Sequence, residues 1–349
     1  MTRLEQEIRE QPVSLERLLR GGRAAVEEAA AAVRAFQPRF VVTAARGSSD
    51  NAARYAKYLF GMRNRLVVSL GAPSLITLYG APPSLAGALV VGISQSGESP
   101  DIVALLEEGR RQGALTLALC NQTDSPLARA AAHVIDLHAG PEESVAASKS
   151  YTAELLALAM LSAAIEGDRT AAAPLDAIPD AVDRTLASAS AGLTDAVLAP
   201  FVLADRLVVL GRGFNFATAF ELALKIKETT GATAEPYATP DLFHGPLAMI
   251  DAGFPALVIA HRGPAFEDTR RALQAIATRG AEILTISDDP SLRTDFAAGG
   301  HVLTAAGVPE WLSPITAIVP GQLAALRLAL ARGLDPDRPV GLAKVTRTH

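Results

Sequence analysis

Three serine hydroxyls and one glutamine amide fall within six residues in Ser94-Gln95-Ser96-Gly97-Glu98-Ser99, and Pro100 follows directly. The apolar run Ala88-Leu89-Val90-Val91 precedes this loop, and residues 102–108 behind it have helical spacing, so strand, tight loop and helix are predicted in succession. Ser99 suits the N-cap and Pro100 the first helical turn. A helix start of this kind presents unpaired N–H groups and a partial positive charge, and with the surrounding hydroxyls it suits a phosphate. The plain alternative is a turn made of turn residues. A second polar turn, Arg46-Gly47-Ser48-Ser49-Asp50-Asn51, follows a predicted buried strand over 39–45 and leads into a predicted helix over 52–60. Two such turns can converge on one ligand at the carboxyl edge of a parallel sheet.

A different chemistry is concentrated further along. Glu221, Lys225, Lys227 and Glu228 share one predicted helix, and Glu235, Asp241 and His244 follow before Gly245-Pro246. Glu221, Lys225 and Glu228 fall at helical spacing, which reads either as a solvated salt-bridge stripe or as part of a site. Residues 230–246 read as a long polar loop, and such loops in compact domains often carry function. The Gly-Pro after His244 restricts the backbone beside its imidazole. With no second histidine or cysteine close by, a metal site is not expected there.

The elements that must position these groups form a repeating pattern. Residues 66–69, 115–119 and 133–137 read as further strands of the first half, 140–148 as a polar loop, and 149–165 as an Ala- and Leu-rich helix. Ahead of them, 15–36 reads as one long helix with Ser14 as its cap, and 166–179 reads as a linker. After a predicted helix over 180–198 the pattern starts again. Residues 206–210 lead into Gly211-Arg212-Gly213-Phe214-Asn215, residues 254–263 take the place of 87–97, and 280–292 echo 113–127. Strands alternating with helices imply a parallel sheet with helices on both faces, and the chain reads as a duplication of one such unit. Where the first copy has its serine loop, the second has His261-Arg262-Gly263-Pro264-Ala265-Phe266, with no serine. One donor-rich loop per chain implies one ligand site, in the first half.

Composition bounds the class of protein. The 349 residues suffice for two full-sized cores; 49% are apolar, 20% charged and 5% aromatic, which is a globular composition. A net charge of −5 argues against nucleic-acid binding. The single cysteine, Cys120, follows a strand-like run and reads as a buried, inert thiol. The first twenty residues are charged throughout without the apolar core of a leader, and no uninterrupted apolar run reads as a membrane span, so the expected compartment is the cytoplasm.

Taken together, these motifs resemble the sugar isomerase (SIS) family in its double-domain form, as in the isomerase half of glucosamine-6-phosphate synthase and in stand-alone SIS-type glucosamine-6-phosphate deaminases. Ser94 to Ser99 is similar to the family's phosphate loop, and Gly47-Ser48-Ser49 to its first phosphate turn. Leu224 to Glu228, Glu235-Pro236-Tyr237 and His244-Gly245-Pro246-Leu247 resemble its catalytic block. Asp335 to Lys344 resembles the C-terminal segment that ends in an active-site lysine.

The resemblance implies an α/β fold of two tandem SIS domains, each a mostly parallel, flavodoxin-like sheet flanked by helices. Its expected divisions are a helical segment over 1–36, domains over 37–170 and 180–332, and a tail over 333–349. It further implies that Ser48, Ser49, Ser94, Gln95, Ser96 and Ser99 hold a sugar phosphate, and that backbone groups at Val145 and Ala146 line the sugar. Glu228 would shuttle the proton between C1 and C2, His244 would open the ring, and Lys344 and Lys225 would be cationic partners of the open-chain oxygens. The implied partners are a phosphorylated amino sugar and a second copy of the chain, whose site receives His244; no cofactor, metal, nucleic acid or membrane is implied.

These residue types also suit the chemistry on their own terms. Proton transfer between adjacent carbons needs a carboxylate on a rigid element, ring opening suits an imidazole, and an enolate oxygen needs a nearby cation. Departures from the family pattern are Ala147, where serine is common, the continuation to Arg347-Thr348-His349, and a sequence that starts at the helix before the sugar isomerase domains, without a glutaminase half. The resulting expectation is a glucosamine-6-phosphate deaminase. The alternatives are a fructosyl-amino-acid 6-phosphate deglycase, a galactosamine-6-phosphate deaminase or a non-catalytic phosphosugar sensor.

Overall fold

The computed structural model describes residues 1–296 and 299–344; Arg347, Thr348 and His349 lie outside the described residues. Two compact units make up the chain. The first comprises Val13–Glu143, Lys149–Asp176 and the tail from Ala343; the second comprises Met1–Pro12, Ser144–Ser148 and Ala177–Leu342.

Five strands form the sheet of the first unit: β1 (Phe40–Ala44), β2 (Val67–Leu70), β3 (Ala88–Ser94), β4 (Leu115–Cys120) and β5 (His133–Asp136). They run parallel in the order β2-β1-β3-β4-β5. Strand β3 is buried along its whole length, as expected for a central strand of a parallel sheet covered on both faces. Cys120 ends β4 fully buried, and burial pushes its thiol above its ordinary value.

The second unit repeats the plan with β6 (Arg206–Gly211), β7 (Thr233–Ala238), β8 (Pro255–Ala260), β9 (Glu282–Ser287) and β10 (Gly300–Leu303). Its order, β10-β9-β8-β6-β7, again all parallel, matches the first sheet strand for strand when read from the other edge. In each sheet the chain's direction of winding reverses between the first strand and the third, and ligands of open α/β sheets bind at that point.

By length and composition alone the stretch Glu310–Ala331, which contains the helix Ser313–Ala331, is apolar enough to cross a membrane. It is 83% buried over its most apolar window and packs on Asn215–Thr230 and Ile178–Gly192; it is the core helix of its unit.

Four local expectations need correction. The helix expected over 15–36 is two helices, Gln11–Gly21 and Arg23–Phe36. They meet at Gly22, where a side chain would collide with Leu18, and Ser14 lies buried inside the first of them rather than capping it. The helix expected over 52–60 spans Ser48–Asn64 and so takes the serine pair into its first turn. The expected linker over 166–179 contains the short helices Arg169–Ala171 and Ala172–Asp176. Residues 230–246 are not one loop, because β7 and the short helix Thr239–Leu242 occupy most of them. The apolar and β-branched positions of 233–238 sit among polar ones and hid that strand from the pattern.

Candidate functional site

In the first unit, β1 and β3 are hydrogen-bonded neighbours with Ala44 opposite Gly92. The two serine turns therefore leave the carboxyl edge side by side, at the switch point. Gly47, in a left-handed conformation (φ 56°), starts the helix Ser48–Asn64. Gly97 (φ 66°) turns the second loop toward the helix Pro100–Arg111, with Ser99 at its N-cap position. A Cβ at Gly97 would stand 2.2 Å from the Ser125 hydroxyl, so only glycine fits.

The second loop is held from within and by the stretch that follows β4. Ser94 Oγ accepts the Gly97 amide (3.0 Å), and Ser96 Oγ accepts the Glu98 amide (3.4 Å). The carbonyls of Gln95 and Gly97 accept the amides of Asn121 and Leu127 (both 3.1 Å). Ser99 makes no side-chain cap bond, so its hydroxyl is not spent on the helix. Ser49 is different: its hydroxyl donates to the buried Glu154 carboxylate (2.7 Å), which leaves its backbone amide as its means of holding an anion.

One contact joins the two turns, and sequence reasoning missed it. Arg46 donates through Nε (2.8 Å) and lies within 2.6 Å through Nη2 of Asp101 Oδ2. Asp101 is 2% exposed and also accepts the Ile102 amide, whereas Arg46 is 49% exposed. A guanidinium bound in this way fixes the spacing between the turns. Nothing in the sequence pairs these two residues, which stand 55 positions apart.

Lys344 also belongs to this unit. Its Nζ lies 3.0 Å from Glu142 Oε2, and the buried Glu142 carboxylate accepts both the amide (3.0 Å) and the hydroxyl (2.6 Å) of Ser150. Glu142 was part of the predicted polar loop, with no sequence signal for a partner 202 residues away.

In the second unit, Glu221, Lys225 and Glu228 lie on the helix Asn215–Thr230, and the solvated-stripe reading fails for the first two. The Lys225 side chain is 2% exposed and the Glu221 side chain fully buried, with 3.4 Å between them. Glu228 keeps 20% of its side chain open and places Oε2 2.5 Å from Lys225 Nζ. That approach is an ion pair without hydrogen-bond directionality. His244 is exposed after the helix Thr239–Leu242, and Gly245 beside it has φ 133°. Val145 is half-buried and Ala146 buried in the 144–148 segment, whose Ser144 amide lies 3.3 Å from the Glu7 carboxylate and whose Ser148 carbonyl accepts Gln322. Among the described residues no group of three or more histidine, cysteine or acidic side chains is placed to hold a metal.

The SIS domain model matches residues 36–164 and 201–332. A glutamine–fructose-6-phosphate aminotransferase (isomerizing) of Thermus thermophilus is 35% identical over 97% of this chain, which spans 57% of that relative; the chain thus covers about half the length of the curated relatives it matches. A solved structure from Silicibacter pomeroyi, named as a proposed phosphosugar isomerase, is 35% identical with TM-score 0.88 and covers 97% of this chain and 100% of that one. The C-terminal domain of the Francisella tularensis glucosamine-fructose-6-phosphate aminotransferase aligns with TM-score 0.86 at 26% identity, over 97% and 98% of the two chains. A Thermotoga maritima glucosamine-6-phosphate deaminase shares the fold, with TM-score 0.79 at 21% identity over 99% and 100%.

Proposed function

The chain belongs to the SIS domain family, and from that premise we propose that it acts on a phosphorylated amino sugar, converting glucosamine 6-phosphate and water to fructose 6-phosphate and ammonia. The observation that carries this reading is the Glu228–Lys225 pair. A carboxylate on a rigid helix, partly open and 2.5 Å from a buried ammonium, is equipped to lift a proton from one carbon and return it to the next. The relatives' names, which pair fructose 6-phosphate with an amino-group transfer, support the same substrate class.

In this proposal the phosphate rests against the two helix starts, held by Ser48, Ser94, Gln95, Ser96 and Ser99 and by the backbone amide of Ser49. The backbone at Val145 and Ala146 lines the sugar. His244, exposed on its own unit, opens the ring in the site of a second copy. Glu228 removes the C2 proton of the open-chain aldehyde, giving an enolamine, and returns a proton to C1, giving the C2 imine. Lys344 balances the charge on the oxygens during the transfer, while Lys225, 2% exposed and 2.5 Å from Glu228, steadies that carboxylate instead of meeting the sugar oxygens as the sequence suggested. Water adds to the imine carbon and ammonia leaves, and the large excess of water over ammonia sets the direction.

Release of ammonia from glucosamine 6-phosphate or galactosamine 6-phosphate, or of lysine from a fructosyl-lysine 6-phosphate, decides among the substrates. Release from glucosamine 6-phosphate is expected. Turnover confined to the fructosyl-lysine compound would transfer the assignment to a deglycase, and tight binding without turnover of any of them would make the chain a sensor.

A further inference from the structure

The second sheet has the same switch point as the first, with β6 and β8 adjacent. Two turns leave it there, 211–215 ahead of the helix Asn215–Thr230 and 261–265 ahead of the helix Phe266–Thr278. Each contains a glycine at positive φ, Gly213 (59°) and Gly263 (152°), as Gly47 and Gly97 do in the first unit. What differs is the group lying against them.

Glu310, half-buried on the short helix Glu310–Leu312, fills this second crevice. A Cβ at Gly263 would stand 2.5 Å from Glu310 Oε2, and one at Gly213 would stand 3.6 Å from Oε1. The two carboxylate oxygens thus face the two turns. The Ala265 backbone amide, at the start of the 13-residue helix Phe266–Thr278, stabilises the carboxylate charge against the effect of burial, which pushes the group upward. The backbone of Glu310 is fixed to the first of the two helices: its carbonyl accepts Ser313 Oγ (2.7 Å), which in turn accepts Asn215 Nδ2 (2.7 Å). In the first unit the acid in the corresponding stretch after the fifth strand, Glu142, is bonded to Ser150 and Lys344 instead. The atoms nearest a Gly97 Cβ there belong to Ser125 and Leu127, with no carboxylate among them.

We propose that the second unit retains the anion cradle of the first and that the chain's own Glu310 carboxylate occupies it in place of a phosphate. A carboxylate brings a negative charge and two acceptor oxygens to a helix start, as a phosphate does. The duplicated fold is thereby limited to one external anion per chain, and the ligand class of the closed cradle is inorganic phosphate or a phosphate monoester. This inference rests on reading the serine turns of the first unit as a phosphate cradle.

Equilibrium dialysis of labelled inorganic phosphate against the full chain and its Glu310→Ala variant tests it. Wild type is expected to saturate at one phosphate per chain and Glu310→Ala at two. Saturation of both at one overturns the inference while leaving the first cradle intact. Wild type at none with the variant at one removes the reading of the serine turns and with it the claim that the second cradle is retained from the first, and none in either removes both. Should Glu310→Ala not fold, Glu310→Ser gives the same count, with a side chain too short to reach the turns.

Discussion

Arg46 and Asp101 hold the two serine turns in register, and separating them should loosen both the unit and its grip on a phosphate. The carboxylate is 2% exposed, and Arg46 approaches it at 2.6 and 2.8 Å through two nitrogens. Charged hydrogen bonds in buried settings contribute about 1.5–3 kcal/mol each. The guanidinium is 49% exposed, and solvent screening reduces that considerably, so a pair coupling of about 2 kcal/mol is expected. Arg46→Met leaves a buried carboxylate with only the Ile102 amide and should lower the melting temperature by about 4–8 °C, given the size of the unit. The assay is a double-mutant cycle of Arg46→Met, Asp101→Asn and the pair, read by thermal unfolding and by phosphosugar affinity. Affinity should fall about tenfold in either single variant, the equivalent of about 1.4 kcal/mol, with the double variant little worse than the singles. A coupling below about 0.5 kcal/mol, the usual limit of additivity, together with unchanged affinity would refute the idea that this contact sets the spacing of the turns.

Glu142→Gln removes the charge that holds the tail lysine; it should lower kcat more than it raises KM for phosphosugar, and equal effects on both would count against a positioning role. Stability should fall in mild acid. Burial, opposed by Asp288, holds the His261 imidazole below its ordinary value of 6.5, so the unfolded chain takes up this proton first. The contribution is then complete above about pH 6.5 and is lost as pH falls toward the depressed folded value. His261→Gln should flatten the fall in melting temperature between pH 7 and pH 5.5 by no more than the equivalent of about 1.4 kcal/mol per pH unit, the ceiling for one proton, and an unaltered pH profile would remove His261 as its source.

The repeated strand-turn-helix plan was legible because β-branched runs and glycine-serine turns are local signals, and both sheets follow it. Helix boundaries were less so. The helix breaks at Gly22, where any side chain would collide with Leu18, and Ser48-Ser49 enters a helix rather than preceding it; both depend on packing that no window of sequence contains. Helical spacing placed Glu221, Lys225 and Glu228 on one face but could not say whether that face meets water, and the burial of Lys225 is a tertiary fact. The same limit hid every partner set by long-range folding: Asp101 for Arg46, Glu142 for Lys344, and Glu310 for the turns at Gly213 and Gly263. The absence of serine from the second loop was visible in the sequence. The carboxylate that lies there, 47 positions beyond Gly263, was not.

The proposed activity depends most on Glu228 moving a proton between C2 and C1 of a phosphosugar. Turnover of glucosamine 6-phosphate in deuterated water, with the product examined by NMR, measures this directly. Wild type is expected to release ammonia and to give fructose 6-phosphate with deuterium at C1 to the extent that the Glu228 carboxyl exchanges with solvent during the transfer, while Glu228→Gln binds the substrate but turns it over at least about a hundredfold more slowly. Undiminished turnover and deuterium incorporation in Glu228→Gln would contradict the account.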